Sequence, residues 1–132
     1  MTSEQILQRI LERTVEGFLA CADAHALAQE LGLSPRALGK IVNARTDVRF
    51  DRCQLGLFGY GPKAEGKSKI VLKAQNLPEE IVQAIQERTK DGRISCLALW
   101  EIAERFRYPR LGIANIAEAL ELKVTPCQLG CF

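Results

Sequence analysis

Arg36, Lys40, Asn43 and Arg45 fall within ten consecutive residues, and Arg49 follows closely. Arginine and lysine reach guanine edges or phosphate oxygens, and asparagine pairs with adenine, so these side chains suit the edge pattern of a DNA major groove. Thr46 and Arg49, with Lys63, Lys67 and Lys69 further along, are residue types that hold phosphates. Contacts of that kind make affinity drop steeply with salt. The same charges also serve merely to keep an amphipathic helix in solution. A second set is the five cysteines, Cys21, Cys53, Cys96, Cys127 and Cys131. Cys53, Cys127 and Cys131 are the candidate metal ligands, for zinc or an iron–sulfur cluster. No CxxC pair occurs, however, and His25 is the single histidine. Reduced cysteine packs as a small buried hydrophobe, which is the stronger expectation, so no cofactor is expected. Gly56, Gly59 and Gly61 lack the Lys-Ser/Thr that a phosphate-binding loop needs, and His25 has no evident nucleophile beside it. No enzyme is expected.

Side chains can act together only if local elements aim them. Leu27, Ala28 and Leu31 share one face of a helix over residues 21–31, and Gly32 supplies the left-handed backbone that stops it. Ser34 then caps a second helix over 35–45, with Pro35 at its first position, where a missing N–H costs nothing. That helix buries Leu38, Ile41 and Val42, leaving the long donors outside. Ahead of this pair, Ile6, Leu7, Ile10 and Leu11 mark a helix over about residues 4–14, which Gly17 ends. Val48, Phe50 and Cys53 alternate with charged residues as a short strand.

The stretch AHALAQELGLSPRALGKIVNA (24–44) resembles a helix-turn-helix, carried by Ala28, Gly32, Leu38 and Ile41. The resemblance covers about one sixth of the chain. It implies a DNA reader whose recognition helix begins at Pro35.

An internal repeat organises the rest. Glu12, Arg13, Thr14, Gly17, Cys21 and Ala28 recur 75 residues later as Glu87, Arg88, Thr89, Gly92, Cys96 and Ala103. SPR from Ser34 answers YPR from Tyr108, and CQLG from Cys53 answers CQLG from Cys127, both now 74 residues apart. One residue is lost near the turn, at no unique place. In the second copy Asn76 and Glu79 make a capping-box pattern, Ser95 can cap a helix, and a third helix starts near Pro109. That helix carries Glu118 and Glu121, which repel phosphate. The second copy is therefore expected to pack against the first or to mediate association, with Trp100 and Phe106 in the core.

The fold class that follows is mainly α: two tandem helix-turn-helix-like three-helix units with short β-strands or a β-hairpin wing. The first repeat spans 1–58, a basic Gly/Lys-rich segment 59–75, and a second, degenerate repeat 76–132. Residues 63–77 hold four lysines and one glutamate, whereas the flanking parts are near neutral. Paired strands over 48–57 and 69–73 would form a wing with Lys63, Lys67 and Lys69 at its tip; the alternative is a solvated linker. Net charge is only +2, and 47% apolar with 26% charged residues is ordinary for a globular domain. No apolar run is long enough to span a membrane, and the N-terminus lacks a signal-peptide pattern, so a cytoplasmic setting is expected. The leading expectation is a transcriptional regulator that binds double-stranded DNA as a homodimer. Its rivals are a protein-interaction module and, behind it, a thiol-based metal or redox sensor.

Overall fold

The computed structural model describes residues 2–60 and 69–131. The chain is mainly helical with a few short strands. Helix α1 is Ser3–Arg13, strand β1 Phe18–Ala20, helix α2 Cys21–Leu31, helix α3 Pro35–Arg45 and strand β2 Arg49–Asp51. The same order then returns: helix α4 Glu79–Arg88, strand β3 Arg93–Ile94, helix α5 Cys96–Phe106, helix α6 Arg110–Ala119 and strand β4 Lys123–Val124. Among the described residues no helix is long and apolar enough to cross a membrane.

Local signals set most boundaries. Thr2 and Gln5 form a reciprocal capping box on α1. The hydroxyls of Ser34 and Ser95 accept from the backbone N–H groups of Ala37 and Ala98, both at 3.0 Å, and start α3 and α5. The expected capping box at Asn76 and Glu79 does not form: α4 begins at Glu79 with Pro78 in the cap position. Gly32 is left-handed at φ 70 and donates back to Ala28 and Gln29. Arg107 does the same in the second half, left-handed at φ 52 and bonded to Ala103 and Glu104.

The strands were only partly legible. β1 and β3 follow tight turns in which Glu16–Gly17 and Asp91–Gly92 all have positive φ, a pattern of two-residue hairpin turns. Each then pairs in parallel with the strand after its third helix, Phe18 opposite Arg49 and Arg93 opposite Lys123. These registers also locate the lost residue. The α2–α3 and α5–α6 turns both run three residues from C-cap to N-cap. Leu38, Gly39 and Val42 are buried, as are Ile113, Ala114 and Ala117, each 75 residues further on. Arg49 and Lys123 are 74 apart. The deletion therefore lies between the third helix and its strand, not near the turn. The match of SPR to YPR is out of register by one residue, and the counterparts of Arg36, Lys40 and Asn43 are Leu111, Asn115 and Glu118.

The two cores exchange tails. Ile10, Leu19, Leu27, Leu38 and Val42 cluster with Cys127 and Leu129 from the end of the chain. Ile81, Ile85, Leu99, Ile113 and Ile116 cluster with Cys53 and Leu55, which precede residue 58. Leu55 and Leu129 are 0% and 1% exposed, and burying a leucine contributes roughly 1.5–3 kcal/mol. Each CQLG turn thus completes the core of the opposite half. Trp100 touches both clusters.

Candidate nucleic-acid interface

On α3, Arg36, Lys40, Asn43 and Arg45 are all exposed, as is Arg49 at the start of β2. At about 100° per residue, Arg36, Lys40 and Asn43 lie within an arc of roughly 60°. Arg45 lies roughly 180° round the helix from Arg36 and does not share that stripe. None of the five forms an ion pair or side-chain hydrogen bond with a described residue. Leu38 and Val42 anchor the opposite side of α3, and buried Gly39 lies on its flank, next to Asn43 round the helix. Gly39 is buried because the backbone of Leu129 crosses it: a Cβ there would sit 2.9 Å from the carbonyl carbon of Leu129 and closer still to its oxygen. The helix carrying the donors is therefore held along one flank by the C-terminal turn. Asn43 and Arg49 also flank an open depression of about 620 Å³ shared with Phe18, Phe50, Phe58 and Cys131.

Thr46 is not available to phosphate. Its hydroxyl donates to the carbonyl of Val42 at 2.7 Å and accepts from the backbone N–H of Val48 at 3.1 Å, so it ends α3. Lys69 is also engaged, with its Nζ 3.0 Å from Glu118. Lys63 and Lys67 lie outside the described residues.

In place of a hairpin, residues 69–74 lie across the outer face of α6 without forming a strand. The N–H of Leu72 donates to Asn115 Oδ1 and that of Ala74 to the Asn115 carbonyl, both at 3.0 Å. Lys73 approaches Glu121 at 3.8 Å. Leu111 packs toward Gly56 and Ile70. Leu111, Asn115 and Glu118 are the counterparts of Arg36, Lys40 and Asn43, so a face that is bare on α3 is covered on α6. The interacting partners are complementary in charge, since the strap is basic and this face of α6 is acidic.

Arg110 is drawn into the junction between the halves. Its guanidinium stacks on Trp100, 3.7 Å from the ring centroid, and donates to Gln54. His25 packs on the same indole at 4.3 Å. Burial, followed by the nearby Arg110 charge, lowers the His25 pKa to about 4. The histidine is thus a neutral packing residue at ordinary pH.

Cys21, Cys53, Cys96 and Cys127 are buried, and Cys131 is exposed. Among the described residues no three or more His, Cys, Asp or Glu side chains are grouped to hold a metal ion. Cys53 packs in the second core and Cys127 in the first. Burial pushes the thiol of Cys21 up to about 12 and that of Cys96 up to about 11.

No protein-family model matches the chain, no curated protein matches it, and no solved structure matches it.

Proposed function

We propose that the chain binds double-stranded DNA by laying α3 in the major groove, and that it acts as a cytoplasmic transcriptional regulator without enzymatic activity. The observation that carries this is the difference between two equivalent faces. On α6 the face is acidic and covered by residues 69–74, whereas on α3 it holds Arg36, Lys40 and Asn43 with no described partner. In this reading α2, the three-residue turn and α3 are a helix-turn-helix, and α5 with α6 is its degenerate copy, retained to complete the core. No wing is required, because Lys69 is occupied by Glu118. The positive N-terminal end of α3 adds to the attraction for phosphate. One copy presents one open helix, so two half-sites need a homodimer.

Titration of a mixed-sequence duplex against the purified chain over a range of salt tests the proposal. Each phosphate contact contributes about 0.9 to the slope of log affinity against log salt. Arg36→Ala combined with Lys40→Ala should reduce that slope by roughly 1–2 and weaken binding. Folding should be unaffected, since both side chains are exposed. Absence of binding at low salt, or a slope unchanged in the double variant, refutes the reading. The covered face of α6 favours a second reading, a protein-interaction module whose third helices dock extended chain segments. Loss of the DNA reading would leave that one standing.

A further inference from the structure

The strands that follow the two third helices lead into one cleft. Arg49 opens β2 and Lys123 opens β4, at equivalent positions of the repeat. Both line a cleft of about 1220 Å³, as do Phe50 with its equivalent Val124 and Leu57 with its equivalent Cys131. Three equivalent pairs facing one space place it at the seam between the halves. The depression of about 620 Å³ beside Asn43 shares Phe18, Arg49, Phe50, Phe58 and Cys131 with it and extends it toward α3. Three of the five phenylalanines, Phe18, Phe50 and Phe58, therefore face this space. Phe18 is 45% exposed. The fold does not demand an apolar residue there, because the equivalent first residue of β3 is the exposed Arg93. The charges are not balanced. Lys69 is paired with Glu118 at 3.0 Å and Lys73 with Glu121 at 3.8 Å. Arg49 and Lys123 are exposed and form no ion pair with a described residue. The cleft thus joins aromatic and aliphatic walls to two uncompensated cations, one from each half.

We infer that this cleft is a binding site for a small amphipathic organic anion, a flat aromatic body carrying one carboxylate or similar acid group. The aromatic body lies between the phenylalanines of the first half and Leu122 and Val124 of the second. The acid group faces Arg49 and Lys123. Pockets for compounds of this size typically measure roughly 300–1,000 Å³ and combine apolar walls with a few placed polar groups, which this cleft matches. The same features argue against a nucleic-acid strand. A strand needs cations along the groove to follow successive phosphates. Here only two cations are uncompensated, and Asp47, Glu118 and Glu121 face the same space, where they repel a run of phosphates. A single acid group meets both cations without approaching those carboxylates in turn. Because one anchor comes from each half, an occupant is held by both halves at once. This binding does not depend on α3 reading DNA.

The probe is anilinonaphthalene sulfonate, an aromatic anion, added to the full folded chain at neutral pH and followed by its fluorescence. Binding should saturate at one probe per chain, with the circular dichroism of the chain unchanged. Arg49→Ala and Lys123→Ala should each weaken it by roughly 2–5-fold. Phe18→Ala should weaken it by roughly 3–10-fold. Arg49→Lys, which keeps the charge, should bind as the parent does, and so should Arg93→Ala, an exposed site outside the cleft. Naphthaleneacetate should displace the probe, and the uncharged naphthaleneacetamide should do so several-fold less well. Saturating naphthaleneacetate should also slow alkylation of Cys131, the exposed thiol on the cleft wall, measured by peptide mass. Non-saturating fluorescence, equal displacement by acid and amide, or full affinity in either cation-to-alanine variant overturns the site, as does a Cys131 alkylation rate that ignores the ligand. Displacement by a single-stranded oligonucleotide but not by naphthaleneacetate would assign the cleft to nucleic acid and overturn the small-anion assignment. No duplex enters these measurements, so saturable binding with the expected variant pattern stands even where titration with duplex DNA defeats the DNA reading.

Discussion

Gly39→Ala isolates the contact on which the orientation of α3 depends. Gly39 is interior to a helix, where replacing glycine by alanine ordinarily stabilises by about 0.8–1 kcal/mol. Here the added Cβ would stand 2.9 Å from the Leu129 carbonyl carbon and 3.4 Å from its Cα, with the oxygen nearer than either. These are backbone atoms of a turn whose leucine is 1% exposed, so they cannot swing aside as a side-chain end would. Overpacking of this kind costs roughly 1–3 kcal/mol. Because the clash is with backbone, the upper part of that range, about 2–3 kcal/mol, applies, and set against the helix-propensity gain the expected net loss is about 1–2 kcal/mol. With a urea m-value on the order of 1–3 kcal/mol/M for a small domain, the unfolding midpoint should fall by roughly 0.5–1 M with m unchanged. The reciprocal control is Ala114→Gly at the matching site of α6, which is 2% exposed and should cost about 1 kcal/mol by ordinary helix propensity. Propensity alone requires opposite signs for the two substitutions, whereas the structure requires both to destabilise. A midpoint for Gly39→Ala equal to or above that of the parent would refute the close crossing of Leu129 over α3.

Two further outcomes follow from local geometry. Arg107 holds at φ 52 the left-handed backbone that Gly32 supplies in the first half, so Arg107→Gly should stabilise the chain by about 1 kcal/mol, read as a raised urea midpoint. His25 has an ordinary pKa of 6.5 and a folded value of about 4. Between those values the unfolded chain binds a proton that the folded chain refuses, so stability is complete above about 6.5 and falls as pH drops toward 4. Unfolding midpoints measured from pH 7 to 5 should slope downward in the parent and flatten in His25→Gln; equal slopes would contradict the half-buried neutral imidazole.

What was legible in the sequence is what short-range physics controls. Gly32, Ser34 and Pro35 fix the ends of α2 and α3 at the residues expected, because a left-handed stop and a hydroxyl cap act within one turn of chain. Apolar spacing places Leu27, Leu38 and Val42 inward and leaves Arg36, Lys40 and Asn43 outside. The repeated Glu-Arg-Thr, Cys and CQLG residues mark two similar stretches, but not how they meet. β1 and β3 are two or three residues long and hold their partners across about 30 residues, too short to leave a periodic signal. The exchange of the CQLG turns and the strap over α6 were also decided in three dimensions. The reason is the same for each. An apolar face or a charged stripe specifies that it must be covered or solvated, whereas which distant segment covers it depends on relative positions that only the packed chain defines. Thus the residue types on α3 and α6 come from the sequence, and the fact that one of these faces is shut while the other is open comes from the tertiary structure.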